Sequence, residues 1–187
     1  MLKINEQVPA LSLDAFHEEQ IKKINLTDYK GKWLIIMFYP ADFTFICPTE
    51  LSEIADKYEE LKANGAEVLS VSTDTTFVHK AWHDTSEAIK KIKFPMLADP
   101  TGKLAKEFGV YLEDEGLALR GTFIINPDGL LKTMEIHDNS IGRSADELLR
   151  KLQAAKFVYE HGGEVCPASW KPGATTLKPG LDLVGKI

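Results

Sequence analysis

Residues 33–39 read Trp-Leu-Ile-Ile-Met-Phe-Tyr, apolar at every position. A strand with one wet face alternates apolar and polar residues, so an unbroken run calls for a strand covered on both faces. The run is far too short to span a membrane. It therefore predicts a central strand, with the rest of the chain laid on both sides of it.

The segments around it alternate between strand and helix patterns. Ahead of it, the alternating Leu11-Ser12-Leu13-Asp14-Ala15, the polar turn at 17–20 and a short run at 24–26 predict a hairpin. After Cys47, apolar residues recur at Leu51, Ile54, Ala55, Tyr58 and Leu61, and Asn64-Gly65 supplies a helix stop. A second strand follows at 67–72 and a helix at 77–91 carrying Val78, Ala81, Trp82 and Ile89. Then come an extended piece at 94–98, a turn at 99–102 and a short helix around 104–108. The runs 121–125 and 130–136 flank Asn126-Pro127-Asp128-Gly129, whose Pro and Asp-Gly predict a hairpin. Ser144, with Glu147 three residues on, reads as the cap of a helix that buries Leu148, Leu149, Leu152 and Ala155. That helix frays near Gly162-Gly163. The rest, with Pro167, Pro172, Gly173, Pro179 and Gly180, is too broken for a helix. The expectation is a mixed α/β sheet with helices on both faces, one domain over 1–163 and a draping tail over 164–187.

Charge and cysteine usage narrow the chemistry. The chain has 187 residues, and 22 Lys and Arg against 28 Asp and Glu leave −6, which gives no whole-chain pull toward nucleic acid or acidic membrane. The first residues lack the basic and long apolar regions of a secretory signal, so a cytoplasmic protein is expected. Two cysteines in a reducing compartment are either inert core thiols or redox participants.

Cys47 stands directly before Pro48, a residue that starts helices well because its missing N–H would be unsatisfied there. A thiol at a helix N-terminus ionises more readily, and a nearby cation helps further. Of the three arginines, Arg143 and Arg150 belong to the last helix region, whereas Arg120 abuts the strand at 121–125, which can neighbour the central strand. Arg120 is thus the candidate cation, against the plainer reading of a solvated strand-end charge. The Thr44 hydroxyl can donate to the thiolate or to a substrate oxygen, or simply close a local turn. Pro40 fixes the exit of the strand or only punctuates it. Glu50, in the first helical turn, complements the dipole and can orient an arginine.

Pro40-x-x-x-Thr44-x-x-Cys47, within the run from Phe38 to Leu51, resembles the active-site signature of the peroxiredoxins, and Arg120-Gly121-Thr122-Phe123 and Val165-Cys166-Pro167 match as well. The resemblance covers essentially the whole chain and lies closest to the typical two-cysteine, bacterial alkyl hydroperoxide reductase branch. It implies a thioredoxin fold with an N-terminal hairpin and extended C-terminal tail, and a peroxide substrate. It makes Cys47 the peroxidatic thiolate, Arg120 and Thr44 the groups that hold peroxide, Pro40 the shield, and Cys166 the resolving cysteine of the partner subunit. It implies a homodimer assembling into a decamer, and recycling by a flavin-containing, NADH-dependent peroxiredoxin reductase, with thioredoxin as the rival. No cofactor or metal is expected on the chain. The Gly-Gly-Leu-Gly insert and Tyr-Phe ending of overoxidation-sensitive members are absent, which implies resistance.

Other chemistries fit less well. A thioredoxin-type oxidoreductase needs a Cys-x-x-Cys pair, and Cys47-Pro48-Thr49-Glu50 is not one. The five histidines are scattered without a Cys-His hydrolase signature, and neither cysteine has a close partner at metal-ligand spacing. A holdase ring is the non-enzymatic alternative, with no sequence feature specific to it.

Overall fold

A computed structural model describes all residues from Met1 to Ile187. Its centre is a seven-stranded sheet whose strands stand in the order β2 (Gln20–Asn25), β1 (Ser12–His17), β5 (Met96–Ala98), β4 (Ala66–Ser72), β3 (Trp33–Phe38), β8 (Arg120–Ile125) and β9 (Leu131–His137). β1 (Ser12–His17) and β2 (Gln20–Asn25) form the expected hairpin. Its two-residue turn is made by Glu18 and Glu19, both with positive φ, in place of the Asn or Gly that such turns favour.

β3 (Trp33–Phe38) is buried at all six positions. It pairs in parallel with β4 (Ala66–Ser72) and antiparallel with β8 (Arg120–Ile125), which makes it the central strand that its unbroken apolar run requires. Leu34, Ile36 and Phe38 join Leu69, Val71 and Phe123 in one core cluster with Leu104, Ala105 and Phe108 of α3 (Lys103–Phe108). Successive strand residues point to opposite faces, so Trp33, Ile35 and Met37, also buried, belong to the other side.

Between β3 and β4 runs α1 (Cys47–Ala63), burying Cys47, Glu50, Leu51, Ile54, Tyr58 and Leu61. After β4, α2 covers Thr76–Thr85, shorter than the expected 77–91. Ser86 turns extended, and a separate 3-10 turn holds Ile89–Lys91. The buried face of α2 also differs from the apolar stripe: Thr76, His79 and Trp82 are inside, whereas Ala81 is exposed. β5 (Met96–Ala98) pairs with β4 and β1. A two-stranded ribbon of β6 (Tyr111–Leu112) and β7 (Leu117–Ala118) has no counterpart in the expected elements, its strands being too short to register a period.

β8 and β9 (Leu131–His137) make the second predicted hairpin. Asn126 closes it with its side-chain oxygen on the Leu130 N–H at 2.8 Å, and Gly129 takes φ +82, a conformation that a side chain would strain. α4 (Ala145–Glu160) starts directly after Ser144 and buries Leu148, Leu149 and Leu152, with Ala155 half-buried.

The chain packs as two compact units, Met1–Ala145 and Asp146–Ile187, the second grouping nearly all of α4 with the tail. In that second unit a bridge between Val165 and Leu177 and a 3-10 turn at Leu181–Leu183 are the only regular features beyond α4. No helix is long and apolar enough to cross a membrane.

Candidate active site

The site forms where β3 gives way to α1. Pro40 is buried at the end of the strand, and the loop then runs over 41–46. Phe43 there takes φ +54, uncommon for a bulky residue and of the kind that clusters at functional segments. Cys47 begins α1, fully buried, with Pro48 in the first turn.

Arg120, the first residue of β8, reaches it as the adjacency of β8 to β3 allows. Its Nη1–H points at Cys47 Sγ, 3.4 Å away, so the strand-end residue is not a solvated charge but a buried one, 3% exposed. A guanidinium so placed offers a charge-assisted hydrogen bond to an ionised sulfur.

A buried cluster holds the guanidinium still. Nε and Nη2 both donate to the Asn139 carbonyl, at 3.0 and 2.9 Å, and Nη1 donates to Glu50 Oε2 at 2.7 Å. Glu50 also accepts from Arg143: from its backbone N–H at 2.8 Å and Nε at 2.9 Å onto Oε1, and from Nη2 at 3.0 Å onto Oε2. Arg143 in turn donates to the Gly121 carbonyl and the Thr122 hydroxyl at 3.0 and 3.1 Å, tying the cluster to β8. Burial alone would push the Glu50 carboxyl up, but the hydrogen bonds and charge of Arg143, with the charge of Arg120, hold it below the ordinary carboxylate range. Two guanidinium groups share one carboxylate here, so within the buried cluster one positive charge is left over, facing the sulfur.

Thr44 shows the local bond that its alternative reading foresaw: its hydroxyl donates to the Ala41 carbonyl at 2.9 Å. Its single proton being committed, the oxygen is left as an acceptor for a ligand O–H rather than as a donor.

A second buried network fixes the other end of the loop. The Tyr39 hydroxyl donates to Asp42 Oδ1 at 2.7 Å, and His79 Nδ1 lies 2.7 Å from Asp42 Oδ2. His79 Nε2 faces the Leu97 carbonyl at 3.1 Å, and the Asp42 N–H donates to Asp74 at 2.9 Å. Burial pushes the Asp42 carboxyl up, the His79 hydrogen bond and charge pulling against it. Asp42 lies within the signature segment, so this network ties the loop to the turn after β4, to α2 and to β5. Sequence reading passed over both Arg143 and His79. Arg143 sits in an irregular loop with no periodicity to place it. His79 did carry a signal, the i, i+3 spacing to Trp82.

Cys166 lies in the C-terminal unit, half-buried, its Sγ 3.8 Å from the Ala154 carbonyl; both cysteines are free thiols. Among ligand-capable side chains, Glu19, His83 and Asp84 converge to within 4.8 Å. Lys80 donates to both of those carboxylates, at 3.2 and 2.8 Å, so an ammonium already stands where a cation would.

Comparison with known proteins identifies relatives along the whole chain. Residues 4–134 match the AhpC/TSA family and residues 154–184 the C-terminal domain of 1-Cys peroxiredoxin, a stretch that here contains Cys166. The chain is 52% identical to the alkyl hydroperoxide reductase C of Escherichia coli K12 and to that of Pseudomonas aeruginosa, over the full length of each. The crystal structure of Enterococcus faecalis AhpC is 50% identical, with a TM-score of 0.86 over 89% of this chain and all of that one. The reduced 2-Cys peroxiredoxin of Plasmodium vivax is 31% identical, with a TM-score of 0.91 over 96% of this chain and 94% of that one. A thioredoxin-like sheet, a thiol at the start of α1 under a fixed guanidinium, and full-length identity of this order have one reading: the chain belongs to the AhpC/TSA family of peroxiredoxins.

Proposed function

We propose that this protein is a thiol peroxidase reducing hydrogen peroxide and organic hydroperoxides at Cys47. The observation that carries the reading is the Arg120 Nη1–H aimed at Cys47 Sγ from 3.4 Å. The Cys47 thiolate attacks one peroxide oxygen, the S–O bond forms and the O–O bond breaks. The departing oxygen takes the electron pair and a proton and leaves as water or alcohol, while Cys47 becomes sulfenic acid. Arg120 stabilises the charge that moves from sulfur to the leaving oxygen, Thr44 accepts from the peroxide O–H, and Pro40 shields the sulfur from water.

Cys166 of the partner subunit then attacks the sulfenic sulfur. An S–S bond forms, the S–O bond breaks, and the hydroxyl leaves as water with the thiol's proton. The buried Cys47 has to come out to meet it, so the first turn of α1 unwinds, helped by the strained Phe43 beside it. A flavin-containing, NADH-dependent reductase, or thioredoxin, returns the disulfide to two thiols. No cofactor or metal belongs to this chain, domain 1–163 carries the peroxide step, tail 164–187 the resolving thiol, and the setting is the cytoplasm.

The surfaces left open support assembly into a homodimer and then a decamer. β9 ends the sheet, its outer edge open beyond Leu131, whose backbone binds Asn5 and Glu6, and with Met134 exposed it is suited to the same strand of a second copy. Phe43, Phe45 and Phe77 are 57%, 91% and 73% exposed, large apolar rings suited to a further contact that joins dimers into a decamer. Sedimentation of the reduced protein should return a ten-chain particle that Phe45→Glu reduces to dimers; a monomeric wild type would contradict this.

The decisive assay is peroxide consumption by the reduced Cys166→Ser protein. It should consume one equivalent per chain and stall until an external thiol is added, and no disulfide-linked dimer should appear on a non-reducing gel. Steady turnover at the wild-type rate would remove Cys166 from the resolving role.

A further inference from the structure

The third arginine, Arg150, takes no part in the cluster around Cys47. In the C-terminal unit its Nε and Nη2 donate to the two carboxylate oxygens of Glu147, at 2.9 and 2.8 Å, a bidentate grip one turn earlier on α4. Nη1 is thereby aimed away from Glu147 and donates to the Trp170 carbonyl at 3.1 Å. Trp170 is 4% exposed, its ring 5.0 Å from that of Phe157, and its Nε1–H donates to the Ala174 carbonyl at 3.1 Å. Four residues before Trp170 stands Cys166, with Sγ against the Ala154 carbonyl of α4. The segment from the thiol to the tryptophan is therefore tied to α4 at both ends, and the charged tie is Arg150.

We propose that Arg150 is a positioning residue for the resolving step, its Glu147-braced guanidinium tethering the 166–170 segment to α4 and so presenting the Cys166 thiol in one place. This rests on the peroxidase reading above. A thiol held in one position meets the sulfenic sulfur of Cys47 with less ordering left to do, which is where a rate advantage arises. The charge adds a second effect. Burial pushes the Cys166 thiol up, the Arg150 charge draws it down and Glu164 pushes it up again, so Arg150 is the cation that favours the attacking thiolate.

The test uses the full-length chain with Arg150→Met, which keeps the side-chain length and removes fork and charge, and Arg150→Lys, which restores charge without the fork. After one equivalent of peroxide, Arg150→Met should consume it as fast as wild type but form the Cys47–Cys166 disulfide about tenfold more slowly. Sulfenic Cys47 trapped by dimedone should rise accordingly. In a Cys47→Ser background, the pH midpoint for alkylation of Cys166 should move upward in Arg150→Met and return toward wild type in Arg150→Lys, a response that loss of packing alone would not produce. Disulfide formation at the wild-type rate or faster, or an unmoved midpoint, overturns the proposal. A wild-type protein that makes no such disulfide removes the resolving role of Cys166 instead, and the alkylation midpoint still decides whether Arg150 acts on Cys166.

Discussion

The Cys47→Ser protein is expected to leave peroxide untouched, at the rate of a protein-free solution, while folding and assembling as wild type does. The substitution changes one atom in a fully buried position, so packing is nearly conserved. What is lost is the nucleophilic sulfur under the Arg120 guanidinium; a serine hydroxyl ionises far too weakly to attack an O–O bond without a base, and no imidazole is among the groups described around it. Peroxide consumption followed by absorbance, with a thermal melt beside it, checks both halves. Residual consumption above background would point to another group on the protein.

The second large effect concerns the cluster that holds Arg120. Arg120→Met should lower the peroxide step by about 10²–10³-fold, the usual cost of removing a preorganised donor from a site of developing charge. Glu50→Gln should act on stability more than on chemistry. Glu50 is 3% exposed and is the one carboxylate bound to two buried guanidinium groups, so neutralising it leaves like charges facing each other, at a cost of about 3 kcal/mol by the measure of other broken buried pairs. Its dependence on pH has a definite sign. A carboxyl held below its unfolded value stabilises the fold at every pH above that value and ceases to do so as pH falls through the lower, folded value. The stability gap between wild type and Glu50→Gln should therefore be full at neutral pH and close in acid, below the ordinary carboxylate range. Denaturant melts of both proteins across that range check it, and a gap independent of pH would contradict the assignment.

Much of this arrangement was legible from the residues alone, and the reasons are specific. The 33–39 run could only be satisfied by a strand covered on both faces, and Asn126-Pro127-Asp128-Gly129 could hardly be anything but a turn, which pairs β8 with β9; that β8 also lies beside β3, with Arg120 at Cys47, was one of two open readings until the fold decided it. The limits are equally physical. The 77–91 segment kept its helical spacing past the point where Ser86 turns extended, because apolar spacing does not register a single change of backbone conformation. Arg143 was set aside with the last helix because a loop has no period to place it, and His79 was passed over, despite its spacing to Trp82, because a titratable side chain on a buried face counts as polar in any reading by hydropathy. Thr44 was read with two possible bonds, and only its geometry with Ala41 leaves its oxygen an acceptor.

The central claim is that the sulfur under Arg120 is the atom that peroxide oxidises. Its most direct test is mass spectrometry of the reduced Cys166→Ser protein after one equivalent of peroxide in the presence of dimedone. The predicted result is one dimedone adduct per chain, on the peptide bearing Cys47, and a much slower appearance of that adduct in Arg120→Met. Peroxide consumed with Cys47 unmodified, or an adduct forming as fast without Arg120, would contradict it.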